Sequence, residues 1–234
     1  MKIVGIQKLT LLDYPGRVAC TVFLNGCNFD CPFCHNSELL TETNALMSTD
    51  ELLDFLRSRV GILDGVCITG GEPTLHRELL PLITQIKDMG YRVKLDTNGY
   101  RPDVLQSLLA QNMVDYVAMD VKNSPSRYGE TVGVPGLKLA SVEESLRFLI
   151  GGAVAYEQRT TLVQQLHDEA ALVDMGKWLC SLVADKKPAA LYLQSFVDRE
   201  SVAFSGLSAP DSSQIERFLQ LLTSYAERVA IRGQ

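Results

Sequence analysis

Along the chain, short apolar runs bounded by Gly, Pro, Asn and Asp alternate with longer stretches whose apolar positions recur every three or four residues. Runs of the first kind predict buried strands, and stretches of the second kind predict amphipathic helices. Ile3 to Leu12 alternates loosely and stops at the turn signal Asp13-Tyr14-Pro15-Gly16, so it predicts an edge hairpin. Arg17 to Leu24 is the first buried strand. Ser48 opens a helix: Glu51 completes a capping box, and Leu52, Leu53, Phe55 and Leu56 form the apolar stripe. A strand from Gly65 to Thr69 leads to a helix from Leu75 to Met89, closed by Gly90. Tyr91 to Asp96 is a third strand, Pro102 to Gln111 a helix entered through proline, and Asp115 to Val121 a fourth strand.

The second half repeats the pattern. Asn123 to Gly136 is a long polar loop of the functional kind, rich in Pro and Gly. Val142 to Ile150 is helical, Ala153 to Val163 a fifth strand, Asp168 to Val183 a helix and Ala189 to Phe196 a sixth strand. Asp211 to Ala226 closes with a helix striped by Ile215, Phe218, Leu219 and Leu222, and Arg228 to Ile231 adds a short last strand. Strands separated by helices imply βαβ units and a parallel sheet, and six units are fewer than the eight of a closed barrel. The fold class expected is therefore α/β, an open, partial (β/α)6 barrel of TIM type. No linker-like shift in composition splits the chain, so residues 1–234 read as a single domain, with 1–16 an edge segment and 17–234 the partial barrel.

One stretch carries unusual chemistry. Leu24 to Asn36 places Cys27, Cys31 and Cys34 in a C-x3-C-x2-C spacing directly after the first strand. Three thiolates on one short loop can converge on one metal centre, with Gly26 and Pro32 bending the backbone around it. A structural zinc needs a fourth ligand, and no second C-x2-C pair occurs; His35 is adjacent to Cys34 and strained for the task. A four-iron, four-sulfur (4Fe-4S) cluster with one open iron explains the count better. Cys20, Cys67 and Cys180 lie in apolar segments and read as small buried hydrophobes.

Composition narrows the setting. The chain of 234 residues is 46% hydrophobic with formal net charge −6, which argues against a nucleic-acid surface. The first residues hold too short an apolar run for a signal peptide, and charge recurs too often for a membrane span, so a soluble cytoplasmic protein is expected.

The cysteine spacing, with the aromatic Phe33 just before the last cysteine, resembles the signature of the radical S-adenosylmethionine (SAM) enzymes. The wider run from Gly5 to Arg17, followed by Cys31-Pro32-Phe33-Cys34-His35-Asn36, is similar to the activating proteins of glycyl-radical enzymes, above all those of anaerobic ribonucleoside-triphosphate reductase. The resemblance covers nearly the whole chain and implies the same partial barrel. It also implies that Cys27, Cys31 and Cys34 hold the cluster, that SAM chelates the open iron, and that one electron splits SAM into methionine and a 5′-deoxyadenosyl radical. Phe33, or its backbone, is expected to seat the adenine.

Ligands in such folds gather at the C-terminal strand ends, where the remaining motifs fall. Thr69-Gly70-Gly71-Glu72-Pro73 follows the second strand; its glycines let backbone close on a ligand, and its carbonyls and Glu72 offer acceptors to an ammonium group. The resemblance assigns Gly70, Gly71 and Glu72 to the amino group of SAM. Asp96 and Asn98, in Asp-Thr-Asn-Gly, can hold ribose hydroxyls or a cation, although Asn-Gly is also a common turn. Asp120 and Lys122 share one face of the fourth strand, which taken plainly is a structural ion pair; the resemblance puts Lys122 near the SAM carboxylate, and Asp96 and Asp120 with the ribose or a monovalent cation. Arg159 is charged inside an apolar strand and needs a partner; the matching family arginine belongs to the active face. Some relatives have a histidine at the end of the sixth strand; here Gln194-Ser195-Phe196 stands there, leaving Gln194 as candidate. His76 and His167 read as surface residues, and Trp178 as core.

The three remaining cysteines are scattered, so no auxiliary cluster is expected and electrons must come from flavodoxin or ferredoxin. By resemblance the radical takes a hydrogen from the Cα of a glycine on a partner glycyl-radical enzyme, expected to be anaerobic ribonucleoside-triphosphate reductase. Two alternatives stay open. One is a radical SAM enzyme acting on another glycyl-radical enzyme, a peptide or a small molecule. The other is a non-catalytic iron–sulfur electron carrier or zinc-binding interaction protein, against which the Gly70-Gly71-Glu72 turn speaks.

Overall fold

A computed structural model describes residues 1–41, 44–202 and 204–232. The strands are β1 (Ile3–Thr10), β2 (Ala19–Leu24), β3 (Gly65–Gly70), β4 (Arg92–Thr97), β5 (Tyr116–Asp120), β6 (Ala155–Leu162), β7 (Leu191–Ser195) and β8 (Val229–Ile231). Their order in the sheet is their order in the chain, with helices in most of the intervals, and the fold is α/β, a partial TIM-type barrel. By internal contacts the chain divides into two compact units. The first comprises Met1–Asn28, Glu38–Thr97 and Asp103–Ala118, the second Phe29–Ser37, Asn98–Pro102 and Met119–Gln234.

In the first unit β1 pairs antiparallel with β2 as the expected edge hairpin, and β2, β3 and β4 run parallel. Its helices are α1 (Glu38–Thr41), α2 (Thr49–Arg57), α3 (Leu79–Asp88) and α4 (Pro102–Ala110), the last beginning in residues of the second unit. Ser48 caps α2 through the capping box with Glu51, and Leu52, Leu53 and Leu56 are buried; Phe55, expected in the stripe, lies half-exposed beside Arg59. The helix expected from Leu75 starts only at Leu79. Glu72 caps a 3-10 turn, Pro73–Leu75, which takes up Leu75 and ends at an extended His76, so the helix begins after it.

In the second unit β6, β7 and β8 run parallel. Its helices are α5 (Tyr128–Thr131), α6 (Leu139–Ile150), α7 (Glu169–Ser181) and α8 (Ser212–Leu222). Side chains of Asp168 and Asp211 cap α7 and α8 by accepting from main-chain amides of the first turn. The segment expected to be a loop, Asn123 to Gly136, contains α5, a single turn too short to show periodicity. Trp178 is core, as expected, with Nε1 donating to Glu143 at 3.0 Å. Among the described residues no helix is long and apolar enough to cross a membrane.

Candidate functional site

In the first unit a turn made of backbone meets the chain just before Cys27. Gly71 N donates to Leu24 O and Glu72 N to Gly26 O, each at 2.8 Å. A Cβ on Gly71 would drive into the Gly26 carbonyl, and one on Gly70 (φ +117) into the Leu24 main chain, so the close approach requires glycine at both. Glu72 follows, 1% exposed. Its Oε1 accepts from Thr74 N at 3.1 Å, from Thr97 Oγ1 at 2.7 Å and from Thr74 Oγ1. The end of β4 thus aims a carboxylate at the end of β3.

Asp96, also at the end of β4, pairs through Oδ1 with Lys94, a lysine of zero exposure. Cys67 Sγ lies 3.7 Å from the Lys94 ammonium and 3.8 Å from Asp96 Oδ1, so this cysteine is buried as expected but has polar company.

In the second unit three charged groups meet at the end of β5. Asp120 takes Arg159 Nε on Oδ1 at 2.9 Å and Lys122 Nζ on Oδ2 at 2.8 Å, which supplies the partner Arg159 needs. Burial would raise the Asp120 carboxyl, but Arg159 and Lys122 outweigh it and hold the group well below the usual range. Burial would likewise lower the Lys122 ammonium, yet Asp120, and after it Cys31, keep it above the usual lysine range. Asp120 is thus shared between the two cations.

The later part of the cysteine loop packs beside this triad. The Phe33 ring is buried with Val163 and Phe196, and Cys31, Leu166, Val202 and Leu207 pack against the same cluster. Lys122 Nζ stands 5.9 Å from the Phe33 ring centroid, a cation–π contact. Cys34 N closes a turn onto Cys31 O at 3.0 Å. His35 stacks on Phe196 at 5.5 Å and 11°, and its Nε2 meets Val197 O at 2.8 Å; Ser37 bonds Ser201 O. Asn98 is buried, its Oδ1 accepting from Tyr100 N at 3.0 Å, and Gln194 is half-buried on β7, in register with Thr161 of β6.

Sequence reasoning missed several residues. His167, expected on the surface, is buried at 2% exposure: its Nδ1 accepts from Val163 N at 3.1 Å and its Nε2 donates to Lys122 O at 2.9 Å. His76, also expected there, is half-buried and bonds Asn25 O at 2.8 Å. Lys94 gave one signal, a lysine two residues from an aspartate within a strand, but its burial needed the tertiary fold. Thr97 gave none.

Cys27, Cys31 and Cys34 are half-buried, and none of them is in a disulfide. Among the described residues no three His, Cys, Asp or Glu side chains already converge on one metal point. The donor set still suits an iron–sulfur cluster in number and kind, since three cysteines lie on one loop braced by bonds to its main chain.

Similarity to known proteins agrees. A family model described as Radical SAM superfamily matches residues 21–169. Relatives named "putative glycyl-radical enzyme activating enzyme" include one from Methanocaldococcus jannaschii and one from Haemophilus influenzae. The one from Methanocaldococcus jannaschii is 31% identical over 97% of this chain and 94% of its own length. The one from Haemophilus influenzae is 33% identical over 50% of this chain and 44% of its own. Among solved structures, a domain of pyruvate-formate lyase-activating enzyme from Bacteroides vulgatus superposes with TM-score 0.59 at 21% identity, covering 72% of this chain and 99% of that one. Streptococcus suis SuiB bound to S-adenosylmethionine gives TM-score 0.68 at 12% identity, covering 91% of this chain and 52% of that one.

The fold is that of an α/β enzyme whose cysteine loop directly follows β2. The chain belongs to the radical SAM superfamily. Membership implies SAM and an iron–sulfur cluster as cofactors.

Proposed function

We propose that this enzyme activates a glycyl-radical enzyme, with anaerobic ribonucleoside-triphosphate reductase as its protein substrate and flavodoxin or ferredoxin as its reductant. Cys27, Cys31 and Cys34 would hold the 4Fe-4S cluster. When bound, the cluster supplies one electron to SAM, giving methionine and the 5′-deoxyadenosyl radical that removes a hydrogen from a glycine Cα of the partner. The observation that carries this reading is the backbone join of Gly71 and Glu72 to Leu24 and Gly26, which ties an ammonium-binding turn to the residue before Cys27.

The protein's own groups bind and orient. Glu72, held by Thr74 and Thr97, accepts from the amino group of SAM, while Gly70 and Gly71 let the backbone come close. Lys122 and Arg159 balance the carboxylate. Asp96 and Asn98 serve the ribose, and Gln194 lines the end of β7. The Phe33 ring is spent on the core, so its main chain is what remains for the adenine. Asp96 and Asp120 already face ammonium and guanidinium groups, so a monovalent cation gains no support from the geometry.

The test uses protein reconstituted with iron and sulfide without oxygen, reduced, and mixed with SAM. A four-iron paramagnetic signal that changes with SAM, and 5′-deoxyadenosine formation that Cys31→Ala abolishes, are expected. Adding the reductase should then give the doublet of a glycyl radical. SAM cleavage without that doublet would redirect the proposal to another glycyl-radical enzyme, a peptide or a small molecule. Iron without any response to SAM would leave an electron carrier.

A further inference from the structure

The segment after β5 touches the cysteine loop between its first two cysteines. The Asp30 amide donates to Val132 O at 2.9 Å. The next residue, Gly133, has φ +68, and a Cβ there would run into the Asp30 carbonyl oxygen and crowd its side chain. A side chain at 133 would therefore displace Asp30, and Cys31 is bonded directly to Asp30.

The same turn is fastened on its other side to the end of β5. Tyr128 is buried, its hydroxyl 3.4 Å from Asp120 O and its ring edge-on to Trp178 at 6.0 Å. Asn123, of zero exposure, donates to Thr131 Oγ1 and to Leu166 O, both at 2.9 Å. A single helical turn and its exit thus reach Asp30 in one direction and the Asp120–Lys122 pair in the other.

We propose that α5 and Gly133 form a positioning element that sets the cysteine loop against the Asp120–Lys122–Arg159 triad, with Gly133 required because only a bare Cα admits Asp30. The meaning for Cys31 rests on the cluster reading above; the mechanical claim does not. Positioning partners of metal ligands commonly change metal affinity by about ten- to a hundredfold, so removal of iron is the natural readout.

Gly136 provides an internal control. It lies in the same segment with φ +76, yet a Cβ there would meet nothing within 4 Å. Gly133→Ala and Gly136→Ala therefore carry similar backbone strain, but only the first carries the clash. Both variants and the wild type are reconstituted, and the rate of iron removal by a chelator is followed. Hydrogen exchange at the Asp30 amide is measured on the iron-free proteins. Gly133→Ala should lose iron and exchange Asp30 about tenfold faster than wild type, with Gly136→Ala within about twofold of it. Equal behaviour of the two variants, or no change in either, would overturn the proposal. If Gly133→Ala does not fold, Asn123→Ala replaces it, because it frees the turn from Leu166 without touching the loop. Unchanged Asp30 exchange in folded Asn123→Ala would be equally fatal. Wild-type protein that takes up no iron would count against the cluster reading, and the exchange comparison would still decide the positioning.

Discussion

Arg159 and Asp120 meet through one bond, Nε to Oδ1 at 2.9 Å, and this bond lets a guanidinium persist on a largely buried strand. Asp120 is the shared member of the triad, since Lys122 holds its other oxygen. Asp120→Asn should therefore cost more than Arg159→Met, because it leaves two half-buried cations facing each other. The loss expected for Arg159→Met is about 1–3 kcal/mol, the range of a charged hydrogen bond. Urea unfolding of both variants checks the order, and a smaller loss for Asp120→Asn would contradict it.

Thr97 gives Glu72 one of its hydrogen bonds, at 2.7 Å, from inside the fold. Thr97→Val keeps the shape and removes the donor. If Glu72 receives the amino group of SAM, binding should weaken about fivefold to tenfold, the equivalent of about 1 kcal/mol, with the fold intact. Titration calorimetry on reconstituted protein measures it. Unchanged affinity would show that Glu72 is aimed without Thr97.

Gln158 of β6 is fully buried, and neither its Nε2 nor its Oε1 has a hydrogen-bond partner among the described residues. A buried amide left unpaired is costly, so an apolar side chain of similar size should be better tolerated. Gln158→Leu is expected to raise stability by about 1–2 kcal/mol, seen as a melting temperature higher by several degrees. A lower melting temperature would mean that the amide is satisfied in solution.

His167 makes stability depend on pH. Its ring accepts from Val163 N and donates to Lys122 O, so the neutral form fits and the imidazolium does not. Burial, ahead of any other cause, lowers its pKa from the ordinary 6.5; backbone hydrogen bonds to Lys122 and Val163 oppose it, and Arg127 pushes the same way as burial. The unfolded chain then takes up a proton more readily than the native one. This contribution is complete above about pH 6.5 and is lost as pH falls below that value towards the lowered one. Unfolding from pH 7.5 to 5 should show the decline in wild type and a shallower slope in His167→Phe. Parallel slopes would remove His167 from the account.

Local signals were legible in the sequence. The cysteine spacing, the Gly70-Gly71-Glu72 turn, the capping box at Ser48 and the helix opened at Asp168 each depend on residues close in the chain, and the structure shows those elements. Lys94 was illegible because a lysine in a strand reads as exposed; its burial is set by Asp96 on its own strand and Cys67 on the neighbouring one. His167 was placed on the surface because, although Val163 lies only four residues away, its other partner, Lys122, comes from the distant end of β5. Phe33 is expected to seat the adenine through its ring or its backbone; the packing of its ring on Val163 and Phe196 could not be read from the sequence, because both lie far along the chain. Gly133 gave no sign of its neighbour, since a glycine in a loop does not reveal which atom approaches it.

The join between Gly71–Glu72 and Leu24–Gly26 also constrains the order in which the protein is made. It connects main-chain groups far apart in sequence, on either side of α1 and α2, and its geometry exists only once β2 and β3 have paired. Contacts of such long range form late, after the cost of closing the intervening chain has been met. The stretch leading into Cys27 therefore has no settled path on the emerging chain. If the three cysteines take up the cluster as proposed, iron delivered before β3 has docked would meet loose thiols, and iron delivered afterwards a loop with its entry already fixed, so maturation would follow folding.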